Sequence, residues 1–427
     1  MRALLVERLV HRFAAARVAA LLTGSGSGIA IGPLRLAEID PPERPGPLWH
    51  RVTPLLAGIC GSDLATLDGE SSRFFEDIVT FPFVPGHEIV GVVTDGPDAG
   101  RRMVVEPVLS CVVRGIEPLC PSCAEGRTGA CERIAFGNIR PGLQTGYCAD
   151  TGGGWSDELV AHEAQLHPVP EDWSDEAAVM VEPAACAIHA ALAGQVVPGE
   201  RVVVLGSGTL GLCTLAALRR HALPSMLLAV AKYRVQRRFA EDFGADDVAL
   251  PSELGRAVRR VTGTLALAST AGRVHRLAGG ADIVFDCVGS ARSITEALEV
   301  VRPGGRVVLV GMPGVLRVDL APLWQREIAL FGAYAYGTED VPPGPRSTFA
   351  LAFELVAETQ LERLVSAHYP LERYEEAVRH AASAGRRGSV KVVFDLRREN
   401  PAWRRTAAPA ARKQRVLRNE NKLETSA

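Results

Sequence analysis

One short stretch limits the folds open to this chain more than any other. Arg201–Leu205 is a continuous apolar run, the pattern of a strand buried on both faces. Gly206-Ser207-Gly208-Thr209-Leu210-Gly211 follows without a break, and LCTLAALRRHA then repeats with a helical period. A lone GxGxxG says little, but strand, GxGxxG and helix in immediate succession describe the first turn of a dinucleotide-binding doubly wound sheet. In such a turn Gly206 permits the tight bend, Gly208 lets a pyrophosphate approach the backbone, and Gly211 lets helix and strand pack closely. The helix N-terminus then turns free N–H groups toward the phosphates. Strand-like segments at 226–231, Ala281–Asp286, 306–310 and 328–334 alternate with helical patterns, as a parallel α/β sheet requires.

The end of the second strand bears on the coenzyme. NAD sites place an acid there to accept from the ribose 2′-hydroxyl. Here the chain reads Ala229-Val230-Ala231-Lys232-Tyr233-Arg234, with no acid until Glu241. Lys232 and Arg234 would pair with a 2′-phosphate that a carboxylate would repel. NADP is favoured over NAD.

Nine cysteines are too few for a disulfide scaffold at 427 residues, yet Cys111, Cys120, Cys123 and Cys131 crowd into one segment. Cys120-Pro121-Ser122-Cys123 is a C-x2-C pair, and Cys131 lies eight residues on. In a reducing cell four thiolates at this spacing read as a closed, structural zinc site. A second constellation is dispersed. Gly58-Ile59-Cys60-Gly61-Ser62-Asp63 sits at a strand–helix turn, Pro85-Gly86-His87-Glu88 precedes the strand Ile89–Val93, and Glu182-Pro183 opens a helix over 184–191. Together they offer one thiolate, one imidazole and two carboxylates, enough for a zinc with an open position.

The motifs GICGSD, PGHE, the cysteine lobe, VEPAACAIHA, VLGSGTLG and RPGGRVVLVG stand in this order. Over residues 1–7 and 33–396 the chain resembles the zinc-dependent medium-chain dehydrogenase/reductases of the alcohol dehydrogenase superfamily, in the branch of sorbitol, threonine and glucose dehydrogenases. The resemblance implies an α/β protein: a GroES-like, β-rich catalytic domain plus a Rossmann doubly wound parallel-sheet domain. The implied division is 1–184 for the catalytic domain with its zinc lobe at about 111–131, 185–335 for the Rossmann domain, and 336–396 for the return to the catalytic domain. It makes Cys60 and His87 ligands of a catalytic zinc, with Glu182 as third ligand and Glu88 as a carboxylate that exchanges with zinc-bound water. Ser62 matches the hydroxyl that takes the alcohol proton. A homo-oligomer, dimer or tetramer, is also implied.

Three departures stand out. The family lobe is C-x2-C-x2-C-x7-C, but the residue three before Cys120 is Glu117. Either Glu117 or Cys111 could complete the site, and the softer thiolate of Cys111 is preferred. Relatives often carry a His five residues after the zinc cysteine, as the outer end of a proton relay; here it is Ala65, so the relay must end on water or elsewhere. Finally, residues 8–30 and 397–427 have no family counterpart. Residues 8–22 read as an Arg-bearing amphipathic helix in a surface insertion, followed by a flexible Gly-Ser break. From 397 to 418 the chain holds eight Arg or Lys and one Glu, a basic and disordered tail.

The expected activity is hydride transfer between a secondary alcohol, polyol or sugar and NAD(P), with zinc as Lewis acid. A pocket for the substrate is expected from loops at 137–155 and near 334–336. The rival readings are a zinc hydrolase or lyase, and a non-catalytic binding protein, each retaining the dehydrogenase fold. A formal net charge of -2 argues against nucleic acid as a partner, and no apolar run reaches the ~18 residues of a membrane span. A small-molecule substrate and a cytoplasmic setting are the expectations.

Overall fold

The computed structural model describes residues 1–267 and 276–397. Six parallel strands form one sheet in the order Asp247–Ala249, Met226–Val230, Arg201–Leu205, Ala281–Asp286, Val301–Leu309, Ala329–Gly332. Numbered along the chain this is 3-2-1-4-5-6, the order of a doubly wound dinucleotide fold. The chain reverses direction across the sheet between Arg201–Leu205 and Ala281–Asp286, and a crevice opens at their carboxyl ends. The central strands are apolar and buried: Val202, Val203, Val204, Ile283, Val284 and Phe285 are all within 1% of full burial. One expectation shifts here. Pro303-Gly304-Gly305 does not precede the fifth strand but lies inside it, and the pairing slips in register across that stretch. Pro303 donates no N–H, so the ladder there is irregular.

The second sheet is mainly antiparallel. Its order is Val365–Tyr369, Lys391–Asp395, Trp49–Gly58, Ile89–Val93, Arg102–Val105, Leu166–Pro168, with Leu159–His162 also paired to Trp49–Gly58. Lys391–Asp395 pairs with Trp49–Gly58 across more than 300 residues of intervening chain, so the β-rich domain is built from both ends of the sequence. The helix Val181–Ala193 is nearly all buried and packs against Thr209–His221 and Thr348–Glu358, at the junction between the two sheets. The stretch Asp175–Ala193 is long and apolar enough to cross a membrane, but 72% of that window is buried inside the fold and it contains Glu182.

The N-terminal insertion is more integrated than its composition indicates. The helix Val10–Thr23 buries Ala16 and sets Phe13 edge-on to Phe81, 6.2 Å between centroids. The Gly-Ser run after it is a packed turn and not a flexible break: the Gly26 N–H donates to Asp68 at 3.0 Å, and Ile29 is 3% exposed. At the other end Arg397 belongs to the body, since it pairs with Asp395, Asp175 and Glu176. The remainder of the expected basic tail, 398–427, lies outside the described residues.

Candidate active site and thiol cluster

Three donor atoms converge at the start of the helix Gly61–Leu67. The Cys60 thiol, a His87 ring nitrogen and a Glu88 carboxylate oxygen all lie within 4.8 Å of one another. Cys60 is the residue before that helix, and the strand Trp49–Gly58 delivers it. His87 and Glu88 sit directly before the neighbouring strand Ile89–Val93, whose Ile89 pairs with Ala57. Antiparallel pairing therefore brings residues 27 positions apart to one point.

The surroundings show what this trio is suited to hold. His87 is 4% exposed, and its Nδ1 has no hydrogen-bond partner; the Asp63 carboxylate stands 3.6 Å away, beyond hydrogen-bond length. Burial pulls the His87 pKa down, but Asp63, Cys60 and Glu182 outweigh it and push it up to about 10. The site thus carries excess negative potential in a buried place, which a divalent cation offsets. A thiolate, an imidazole and a carboxylate with one side open match the donor chemistry of catalytic zinc.

Glu182 is not part of this compact trio. Its Oε1 accepts from the Tyr336 hydroxyl at 3.3 Å and from the Cys186 thiol at 3.5 Å. Burial pushes its carboxyl up to about 7, with His87 drawing it back down. Glu182, expected as a third donor, therefore stands outside the three converging atoms, where Tyr336 and Cys186 engage it, and Glu88 is the carboxylate nearest Cys60 and His87.

Four further residues carry weight that the motifs alone did not assign. Lys391, only 1% exposed, forms a buried ion pair with Glu88 and donates to the Ile59 carbonyl at 3.3 Å. A single lysine in the apolar run 390–394 was the available signal. Asp63 accepts from the Cys60 N–H at 2.9 Å while facing His87. Tyr147 donates to Asp63 at 3.2 Å, meets Thr66 at 3.4 Å and interacts with the Ser62 hydroxyl. Thr66 in turn meets Ser71 at 2.9 Å. So a string of hydroxyls starts at Ser62 and runs past Ala65. Tyr147 and Tyr336 come from the two segments expected to shape the pocket.

The trio borders the nucleotide crevice. Cys213, in the helix Thr209–His221, lies within electrostatic reach of Lys391, Glu88 and Glu182. Gly206 has φ +88°, a left-handed bend, and a Cβ at Gly211 would collide with the Gly206 carbonyl. A Cβ at Gly208 would meet nothing within 4 Å, so no neighbour in the protein demands a glycine there. The open space is the cradle expected for a pyrophosphate, and the helix Thr209–His221 begins with no side-chain cap on its N–H groups. Lys232 and Arg234 are exposed just beyond the strand Met226–Val230.

The cysteine cluster is of another kind. The thiols of Cys111, Cys120, Cys123 and Cys131 lie within 4.8 Å of one another, and all four residues are buried. Cys111 and Cys131 sulfurs are 3.6 Å apart, close to the ~3.8 Å of ligands on a tetrahedral Zn–S site. The residue standing with the other three is Cys111; Glu117 is exposed. Burial opposes ionisation of Cys120, yet N–H donors led by Cys123 bring its thiol down to about 7, while burial pushes Cys123 up. Beside the lobe, the fully buried Arg114 side chain donates to the carbonyls of Leu109, Phe136, Ile139, Arg140 and Gly142.

Comparison with known proteins agrees with this architecture. Residues 46–171 match the alcohol dehydrogenase GroES-like domain, and residues 209–358 match the zinc-binding dehydrogenase domain. The L-idonate 5-dehydrogenase of Vitis vinifera is 29% identical over 367 residues, spanning 82% of this chain and 89% of its own. The sorbitol dehydrogenase of Arabidopsis thaliana is 28% identical over 363 residues, with the same coverage of 82% and 89%. Among solved structures, a candidate zinc-binding dehydrogenase of Sinorhizobium meliloti 1021 bound to NADP superposes with a TM-score of 0.63. It is 26% identical and covers 85% of this chain and 95% of that one.

Proposed function

This chain belongs to the zinc-dependent medium-chain dehydrogenases, as an alcohol or polyol oxidoreductase that uses zinc and NAD(P), and on that premise we propose its substrate class, site residues and coenzyme form. The substrate is a secondary alcohol of a polyol, sugar or hydroxylated relative. Cys60, His87 and Glu88 hold one zinc, the catalytic one, and Cys111, Cys120, Cys123 and Cys131 hold a second, structural one. NADP is preferred over NAD. The observation that carries this reading is the convergence of Cys60, His87 and Glu88 within 4.8 Å beside the glycine turn.

When bound, zinc would supply Lewis acidity toward the substrate oxygen and the nicotinamide a hydride acceptor. The chain's own residues do the rest. Asp63 faces His87 at 3.6 Å as a nearby negative charge and holds the Cys60 backbone N–H. Lys391 holds the Glu88 carboxylate in a buried ion pair while also donating to the Ile59 carbonyl. Ser62 takes the proton of the substrate hydroxyl, and the hydroxyls of Tyr147, Thr66 and Ser71 carry it outward where Ala65 cannot. Glu182 and Tyr336 meet at the start of the helix Val181–Ala193.

The working form is proposed to be a homo-oligomer, a dimer or tetramer, in the cytoplasm. Val315, Leu320 and Trp324 are exposed in the segment that leads into the edge strand Ala329–Gly332, apolar surface of the kind that such an association would bury. The reading as a hydrolase or lyase leaves the open glycine cradle without a purpose. The test is direct: absorbance at the nicotinamide band with a panel of polyols and sugars, each with NADP and with NAD. Oxidation of none of them with either coenzyme would overturn the proposal.

A further inference from the structure

The two domains meet at a seam that is rich in unpaired cations. Tyr233, one residue past Lys232, packs its ring onto Gly385 so closely that a Cβ at 385 would strike the ring. Gly385 belongs to the turn Ala384–Arg387, which comes from the return segment of the β-rich domain and packs against the helix Arg234–Asp242. The next two residues of that turn, Arg386 and Arg387, are exposed. Across the seam stand Lys232, its Nζ 5.5 Å from the Tyr233 ring centroid, and Arg234, the first residue of its helix.

Charge on this seam is not balanced. Among the described residues Lys232, Arg234 and Arg386 have no acidic partner. Arg387 differs, since it lies within electrostatic reach of Glu376. Most other arginines of the chain are committed: Arg363 pairs with Asp242 and Arg373 with Glu376 on neighbouring elements. Like charges facing each other repel, and an anion seated between them reverses the sign of that interaction.

We propose that Arg386 is the second half of the coenzyme 2′-phosphate site, so that the phosphate is clasped between Lys232 and Arg234 of the Rossmann domain and a cation of the catalytic domain. This rests on the NADP reading above. Tyr233 and Gly385 set the spacing of the two halves, and the lack of a side chain at 385 lets the turn come near enough. The clasp would make coenzyme class and domain docking one event, because the same phosphate touches both domains.

The test uses the full-length zinc-loaded protein and two probes, 2′,5′-ADP and 5′-AMP, with dissociation constants from calorimetry. The wild type binds 2′,5′-ADP more tightly than 5′-AMP. Arg386→Ala weakens 2′,5′-ADP by about tenfold, as loss of a charge-assisted contact does, and leaves 5′-AMP within about twofold. Arg386→Lys restores part of the loss, and Arg387→Ala on the same turn changes little. Gly385→Ala, which forces the turn off Tyr233 while keeping Arg386, also weakens 2′,5′-ADP selectively. If Arg386→Ala leaves 2′,5′-ADP binding unchanged while Lys232→Ala weakens it, the clasp is wrong and the NADP reading stands. If the wild type does not distinguish the two probes, the NADP reading fails and the clasp fails with it.

Discussion

The four-thiol lobe and the Cys60 trio are both buried, ligand-rich sites, yet they are made in opposite ways. The lobe takes all its donors from residues 111–131, closes them with one another's backbone N–H groups, and has Arg114 stitching its base to five carbonyls. The trio draws on two strands, borrows a lysine from residue 391, and leaves Cys60 partly exposed to the crevice. A local, closed set contributes to folding and little else. A dispersed set with an open side depends on the whole fold and can admit a substrate.

The largest expected contrast comes from removing one thiol at each site. Cys60→Ser lowers turnover by about 10³-fold or more while the thermal midpoint stays within a few degrees, because Lewis acidity is lost and packing is kept. Cys123→Ser does the reverse: the midpoint falls steeply, since closed zinc sites contribute folding energy directly. Turnover and thermal melts on both variants check it. Equal loss of stability in the two would erase the distinction.

Next is Lys391→Met. It strands the buried Glu88 carboxylate, and breaking one side of a buried pair costs about 3–5 kcal/mol. Lys391→Met with Glu88→Gln should recover much of that, which denaturant titration of the double-mutant cycle would reveal. No such coupling is expected between Lys391 and the lobe.

Ser62→Ala is expected to lower turnover by about 10²-fold with zinc content unchanged, as for other positioned proton-transfer groups. Tyr147→Phe should cost less, since Thr66 and Ser71 remain beside it. pH–rate profiles at equal zinc occupancy separate the two; near-wild-type turnover in Ser62→Ala would remove it from the mechanism.

The smallest effect concerns how the return segment is held, on which only the dispersed site depends. Glu176 meets His368 at 3.0 Å and Arg397 at 3.0 Å. Chiefly the His368 hydrogen bond, with Arg397 adding to it against burial, draws its carboxyl down to about 2 from 4.5. A carboxylate with a lowered folded-state pKa stabilises above its unfolded value and stops doing so as pH falls through the folded one. Glu176→Gln should thus cost about 1–2 kcal/mol near neutrality after allowance for partial exposure. The gap should close as pH falls from 4.5 toward 2, followed by urea midpoints across that range.

Much of this molecule can be read in one dimension, and the exceptions share a cause. The strand–glycine–helix unit and the C-x2-C lobe are local, so their spacing carries the geometry. GICGSD and PGHE locate Cys60, His87 and Glu88, but only strand pairing shows that the three donor atoms meet at one point. Lys391 reaches its partners Glu88 and Ile59 across more than 300 residues of chain, and Arg386 is proposed to act across the domain junction, so neither leaves a periodic trace near its partners. The Gly-Ser run at 24–28 misleads for the same reason: its composition is that of a linker, and the Asp68 carboxylate that anchors it lies 42 residues on.

The most direct test is the zinc content of the purified protein and of two variants, by atomic emission. Two zincs per chain are expected in the wild type, one in Cys60→Ser and one in Cys123→Ser, with activity surviving only where the Cys60 site is filled. A wild type holding a single zinc that Cys123→Ser leaves in place would contradict the two-site account.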